Sequence, residues 1–290
     1  MMEQKQTNIA TVDNTLKHQD GHANGRPLRI AATADIHIRE TDQGKWTGFF
    51  KEVSSKADVL VIAGDLTDTG DEGEAQVLAE ELKACTIPVI AVLGNHDHEK
   101  GRHKLIRQML QKAGVNMLDG ESIIINNVGF AGVKGFGGGF DNHMLSMFGE
   151  GAMKAFVQEA VDEALHLDRA LARIDSESKQ IPKIVVMHYS PISDTVKGEP
   201  EVIFPFLGSS RLAEPLVRRK VQATFHGHAH MGQLKGEISS GGKVFNVAKH
   251  ILLKQGYEQP YYLYEVQPGG EVRAVNDATA PGMKEQTVNH

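Results

Sequence analysis

Pro88-Val89-Ile90-Ala91-Val92-Leu93 is a short apolar run that reads as a buried strand, and it leads directly into Gly94-Asn95-His96-Asp97. The glycine lets the backbone turn and approach neighbouring chain closely. The three polar residues after it are of metal-ligand or acid–base type. Four other blocks stand in the same relation to an apolar run: Asp35-Ile36-His37, Gly64-Asp65, His188, and Gly227-His228-Ala229-His230. Taken singly, each block is common in ordinary loops. Five in order, each behind a strand pattern, describe an α/β chain whose chemistry is gathered at strand ends.

Working outward, the apolar runs Leu28–Thr33, Val59–Ala63, Ser122–Asn126, Val128–Val133, Lys183–Met187 and Ala223–Phe225 predict further strands. Asn126-Asn127 predicts a turn between two of them, and 234–238 with 244–247 a hairpin. Tyr261–Val266 alternates as an edge strand would. Helical spacing predicts helices through Trp46, Phe49, Phe50 and Val53, over 74–84 and over 101–113. The longest periodic stretch runs from Met153 to Ile174. Trp46 reads as core. Arg39, His98 and His103 read as solvated, Asp68, Asp71 and Glu72 as solvated loop or helix N-terminal acids, and His226 as a supporting or surface residue. Two loops, 134–149 and 192–210, are too long for simple turns and read as specificity elements. Phe136, Phe140, Phe204 and Phe206 in them either stack on a substrate or pack the loops, with packing the commoner fate of phenylalanine. His143 is a weaker candidate for a substrate contact.

The 290 residues are 40% apolar, enough for a sizeable core, and no linker or repeat divides them. The expected layout is a tail over 1–27, one domain over 28–268 and a C-terminal tail over 269–290. The net charge of −6 argues against a protein that tracks duplex nucleic acid. No run approaches the ~20 apolar residues of a membrane span, and the polar N-terminus lacks a secretory core, so no membrane association is expected. One cysteine, Cys85, excludes an internal disulfide and suits a cytoplasmic protein.

Asp35, His37, Asp65, Asn95, His188, His228 and His230 can supply two metal sites. Their mix of carboxylate, amide and imidazole, without thiolate, suits Mn²⁺ first, with Fe or Zn²⁺ as alternatives. Two such ions ~3.5–4 Å apart would clamp a hydroxide and a phosphoryl oxygen for in-line displacement. Their charge exceeds that of the ligands, so an anionic phosphate is the natural substrate of an otherwise acidic chain. His96 is left free as a general acid toward the leaving oxygen, with Asp97 placed to orient it.

These five blocks, spread over residues 35–230, resemble the signature of the calcineurin-like metallophosphoesterases. The resemblance implies a four-layer α/β/β/α sandwich. It implies one metal on Asp35, His37, Asp65 and His230, a second on Asp65, Asn95, His188 and His228, and His96 as the catalytic histidine with Asp97 beside it. Ala34 stands where many members have glycine. Within the family, the size and negative charge favour a phosphodiesterase or phosphomonoesterase of small molecules, similar to the class III cyclic nucleotide enzymes. The alternatives are a nuclease similar to the double-strand-break-repair exonucleases and a catalytically dead scaffold. The first usually carries an added DNA-binding region, and the second usually loses ligands that are all present here.

Overall fold

A computed structural model describes residues 17–19, 26–267 and 272–275. The chain runs β1 (Lys17–Gln19), β2 (Leu28–Thr33), α1 (Thr47–Lys56), β3 (Val59–Ala63), α2 (Glu72–Glu81), β4 (Val89–Val92), α3 (Asn95–His98), α4 (His103–Lys112) and β5 (Asn116–Met117). It continues through β6 (Glu121–Ile125), β7 (Val128–Gly132), α5 (Gly151–Glu177), β8 (Lys183–Val186), α6 (Phe204–Leu207), α7 (Ala213–Arg218) and β9 (Ala223–His226). The last elements are β10 (Lys235–Glu237), β11 (Lys243–Asn246), α8 (Lys249–Lys254), β12 (Tyr262–Val266) and β13 (Val272–Ala274).

The strands form two sheets, ordered β13-β12-β2-β3-β4-β5 and β1-β6-β7-β8-β9-β11-β10. Alternation along each strand sends successive side chains to opposite faces, and this builds three layers of core. Ile30, Val61 and Ile90 of the first sheet meet Phe130, Val186 and Phe225 of the second between the sheets. On the outer face of the first sheet, Ala31, Leu60 and Ile62 pack under Phe50, Leu78 and Ile106 of α1, α2 and α4. On the outer face of the second, Ala131 and Val185 pack under Leu167, Leu171 and Ile174 of α5. The architecture is therefore the α/β/β/α sandwich, with the central strands β3, β4, β7, β8 and β9 buried on two faces as their continuous apolar sequences require.

β2, β3 and β4 run parallel, as do β7, β8, β9 and β11. Each of the five polar blocks follows the C-terminal end of one of these strands, so one edge of the sandwich collects them all.

Several elements differ from the sequence expectation. β12 is not an edge: it lies between β2 and β13, antiparallel to both. Lys17–Gln19 and Val272–Ala274, assigned to tails, each add a strand, to β6 and β12 respectively. A three-residue edge strand is held by backbone hydrogen bonds and needs no apolar pattern, so composition does not reveal it. The remaining residues of both expected tails lie outside the described residues. The segment 192–210 is not irregular throughout, since it contains 3₁₀ turns at Ser193–Val196 and Glu201–Ile203 and the helical turn α6.

Candidate metal centre

Strand ends bring the carboxylates and imidazoles together in three overlapping groups: Asp35, His37 and His230; His37, Asp65 and His96; and Asp65, His188 and His228. In each, the ligand atoms lie within 4.8 Å of one another. Asp65 belongs to two groups. One of its oxygens is 3.3 Å from His188 Nε2 and the other 3.6 Å from His37 Nε2. Asn95 joins from α3, its Oδ1 2.8 Å from His188 Nε2. All seven predicted ligands therefore meet at one edge of the fold.

The backbone is bent to achieve this. Asp35, His37, Asp65 and His228 all have left-handed φ angles of 56°, 47°, 48° and 69°. That region is costly for residues other than glycine and tends to mark functional sites. Gly64, at φ 89°, has no room for a side chain, because a Cβ there would collide with the His188 ring. A Cβ on Gly94 would collide with Asp65. These two glycines let the loops after β3 and β4 close on the site.

Backbone carbonyls orient the imidazoles. His188 Nδ1 donates to the Ala63 carbonyl at 3.0 Å, which turns Nε2 toward Asp65 and Asn95. His228 Nε2 donates to the Phe206 carbonyl at 3.1 Å, leaving Nδ1 for the cluster. A histidine held by its second nitrogen in this way is pre-set as a ligand. His37 is different: both ring nitrogens are buried, and neither has a hydrogen-bond partner. A buried imidazole without a partner is costly. A cation against Nε2 would satisfy that nitrogen, with Asp68 3.5 Å from Nδ1 on the other side, and the oxygen and nitrogen donors around Nε2 are of the type that holds divalent ions.

Charge within the cluster points the same way. Burial opposes ionisation of Asp35 and Asp65. The hydrogen bond and charge of His230 nonetheless hold Asp35 below the usual carboxylate range, and His188 does the same for Asp65. Burial likewise opposes a charged His188, but the Asp65 carboxylate wins and raises its pKa to about 9. Burial, followed by the charge of His188, pushes His228 down to about 4. Two buried carboxylates thus stay ionised beside His188 and His230, whose ring protons a cation would displace on binding.

His96 faces the shared region. Its Nδ1 donates to the Asp68 carbonyl at 2.7 Å, and its Nε2 stands 4.0 Å from Asp65 Oδ2. The expectation that Asp97 orients this ring is corrected here. The fully buried Asp97 carboxylate accepts from Gly94 N at 2.8 Å, Leu66 N at 3.2 Å, Thr67 N at 2.8 Å and Thr67 Oγ1 at 2.6 Å. It ties the loop after β3 to the turn before α3. Asp68, read as a solvated loop or helix N-terminal acid, instead pairs with Arg39 at 2.8 Å and lies 3.5 Å from His37 Nδ1.

Other expectations resolve at the periphery. His226 is wholly buried, its Nε2 2.8 Å from Thr195 Oγ1, and burial pushes it down to about 4. His98 and His103, read as solvated, are half-buried and stack at 4.1 Å. His143 is exposed on a 3₁₀ turn and belongs to none of the ligand groups. The two long loops are hydrogen bonded to each other, Gly138 N to Pro205 O at 2.7 Å and Gly139 N to Gly208 O at 2.9 Å. Phe140 and Phe204 pack together beneath them, and Phe136 packs on Phe156 and Tyr189. Phe206 alone of the four is largely exposed, at 59%, beside His228.

Known proteins are similar to the chain in sequence and in fold. The chain is 33% identical over 107 residues to an uncharacterized metallophosphoesterase of Aquifex aeolicus, covering 36% of this chain and 40% of that protein. It is 30% identical over 88 residues to a probable cyclic nucleotide phosphodiesterase of Coxiella burnetii, covering 27% and 36%. These matches thus span about two-fifths of each curated relative's length. Phosphopantetheinyl hydrolase of Mycobacterium tuberculosis superposes with a TM-score of 0.55 at 14% identity, over 82% of this chain and 95% of that one, a likeness of fold. Residues 28–232, which contain every block from Asp35 to His230, match the calcineurin-like phosphoesterase model, and the chain belongs to that family.

Proposed function

We propose that the chain is a phosphoesterase that holds two divalent metal ions and hydrolyses a phosphodiester or phosphomonoester of a small molecule. The observation that carries this reading is Asp65, whose two oxygens face different ligand groups, toward His188 and toward His37. Asp35, His37, Asp65 and His230 would hold one ion, and Asp65, Asn95, His188 and His228 the other. Mn²⁺ is the first choice for this donor set, and Fe and Zn²⁺ are the alternatives. When bound, the ions supply positive charge to the phosphoryl oxygens and lower the pKa of water.

The chain's own groups do the rest. The Asp68 carbonyl holds His96 Nδ1, so Nε2 is the nitrogen that faces the reacting region and can give a proton to the leaving oxygen. Asp97 acts one step back, by fixing the loops that carry Asp65 and His96. Phe206 and the paired loops form the rim against which the organic part of the substrate rests. The name of the Coxiella relative supports a diester. Among the described residues no helix is long and apolar enough to cross a membrane. The one cysteine, Cys85, is a free thiol, in keeping with the proposed cytoplasmic setting.

The test is hydrolysis of bis-p-nitrophenyl phosphate and p-nitrophenyl phosphate, with Mn²⁺ and with chelator. The expected result is metal-dependent turnover, lost in His96→Ala while that variant still binds metal. A protein that binds two metals but turns over neither ester would overturn the enzymatic reading.

A further inference from the structure

A cavity of about 560 Å³ opens beside the metal centre, lined in part by His37, Arg39, Trp46, Asp68, Lys249 and His250. It shares His37 with two ligand groups, and His250 stacks on the ligand candidate His230 at 4.5 Å. The cavity is therefore continuous with the place where the reacting phosphoryl would sit, and its volume is that of a small-molecule site.

The cations of this cavity are not equivalent. Arg39 is paired with Asp68 at 2.8 Å, and Lys45 at the mouth with Asp42 at 2.8 Å. Both side chains are mostly exposed. Lys249 is half-buried, and its hydrogen bond goes to a neutral acceptor, the Ile36 carbonyl at 3.1 Å. Its ammonium lies 5.6 Å from the centre of the Trp46 ring. Trp46 is itself braced by Phe49, 5.2 Å away, and by Glu81, which accepts from its backbone N–H at 3.0 Å. Carbonyl and ring thus hold the ammonium in place without neutralising it. A desolvated cation without a bound carboxylate is costly to keep, and burial indeed pushes the Lys249 pKa down. An anion entering the cavity would remove that cost.

We propose that this cavity receives a second phosphate of the substrate, with Lys249 as its counter-ion. The preferred substrate is then a phosphodiester that carries a further phosphate group. The proposal rests on the phosphoesterase reading above and goes beyond it by naming what the molecule must carry besides the reacting ester. Lys249 is a substrate-binding residue here, and Trp46 is a positioning residue that acts through it.

A matched pair of chromogenic esters tests this: the p-nitrophenyl ester of thymidine 5′-phosphate, with and without a 3′-phosphate. Wild-type protein with Mn²⁺ should favour the 3′-phosphorylated ester by about tenfold or more in kcat/KM, mostly through KM, as befits a charge-assisted contact. Lys249→Met should bring the ratio close to one, and Lys249→Arg should restore much of it. A ratio near one in wild type, or a preference that Lys249→Met retains, would overturn the proposal. So would failure on both thymidine esters while bis-p-nitrophenyl phosphate is still hydrolysed, and the phosphoesterase reading would then survive alone. Failure on all three diesters would overturn the proposal, and failure on p-nitrophenyl phosphate as well would remove the phosphoesterase reading with it.

Discussion

His96 and Asp97 are neighbours in sequence with separate work in the fold. Successive residues of a helical turn point about 100° apart, so within α3 the His96 ring faces the metal cluster while the Asp97 carboxylate faces inward to Gly94, Leu66 and Thr67. Their substitutions should fail differently. His96→Ala should lower turnover by ~10²–10⁴ and leave the urea midpoint nearly unchanged. Asp97→Ala leaves buried donors without an acceptor and should cost at least about 3 kcal/mol, read as a fall in that midpoint. A stable Asp97→Ala protein with lost turnover would return Asp97 to the chemical step. That the two side chains do not pair was not legible from GNHD, because adjacency in sequence says nothing of direction until the local turn is known.

At the scale of elements, α5 is the clearest reading from sequence, yet it hides a polar group. Val157, Ala160, Leu167, Leu171 and Ile174 form its buried stripe, and Glu163 falls on that same stripe, three residues after Ala160 and four before Leu167. An acid at an apolar position was the available signal. Glu163 accepts from Gly135 N at 2.7 Å and lies 3.7 Å from Lys134 Nζ, so α5 anchors the start of the Gly-rich loop. Burial raises its pKa to about 7 despite Lys134. Between about pH 4.5 and 7 the folded protein keeps a proton that the unfolded chain has released. The resulting stability is full below pH 4.5 and is lost as pH rises through 7, by up to about 3 kcal/mol. Glu163→Gln, which cannot ionise, should gain on wild type between pH 5 and pH 8 in urea unfolding. Equal midpoint differences at the two pH values would show that Glu163 is not held protonated.

For the whole molecule, the candidate metal centre joins the two sheets. Asp35, Asp65 and Asn95 follow strands of one sheet, and His188, His228 and His230 follow strands of the other. Ions bound there only in the folded state should act as a clasp. At a concentration one hundred times Kd, each ion so bound would add ~2.7 kcal/mol. Mn²⁺ should therefore raise the thermal midpoint, chelator should reverse the rise, and Asp65→Ala should abolish most of it. A midpoint indifferent to both reagents would count against metal binding by the folded chain.

The sequence by itself determined the α/β class, the strands that carry the site and the identity of the seven ligand candidates. Each of these rests on local facts: an apolar run of strand length, a glycine at a tight turn, and donor atoms two residues apart. Tertiary structure alone decided which side chains face one another. It joined Asp68 to His37 and the Asp68 carbonyl to His96, buried His226 against Thr195, zipped the two long loops together, and enclosed Lys249 against Trp46 across more than two hundred residues of chain. It also added β1 and β13, whose backbone pairing leaves no mark on composition. Periodicity records which way a side chain points relative to its own strand or helix, whereas these contacts depend on how separate elements are brought together, and that is set by the packing of the sandwich as a whole.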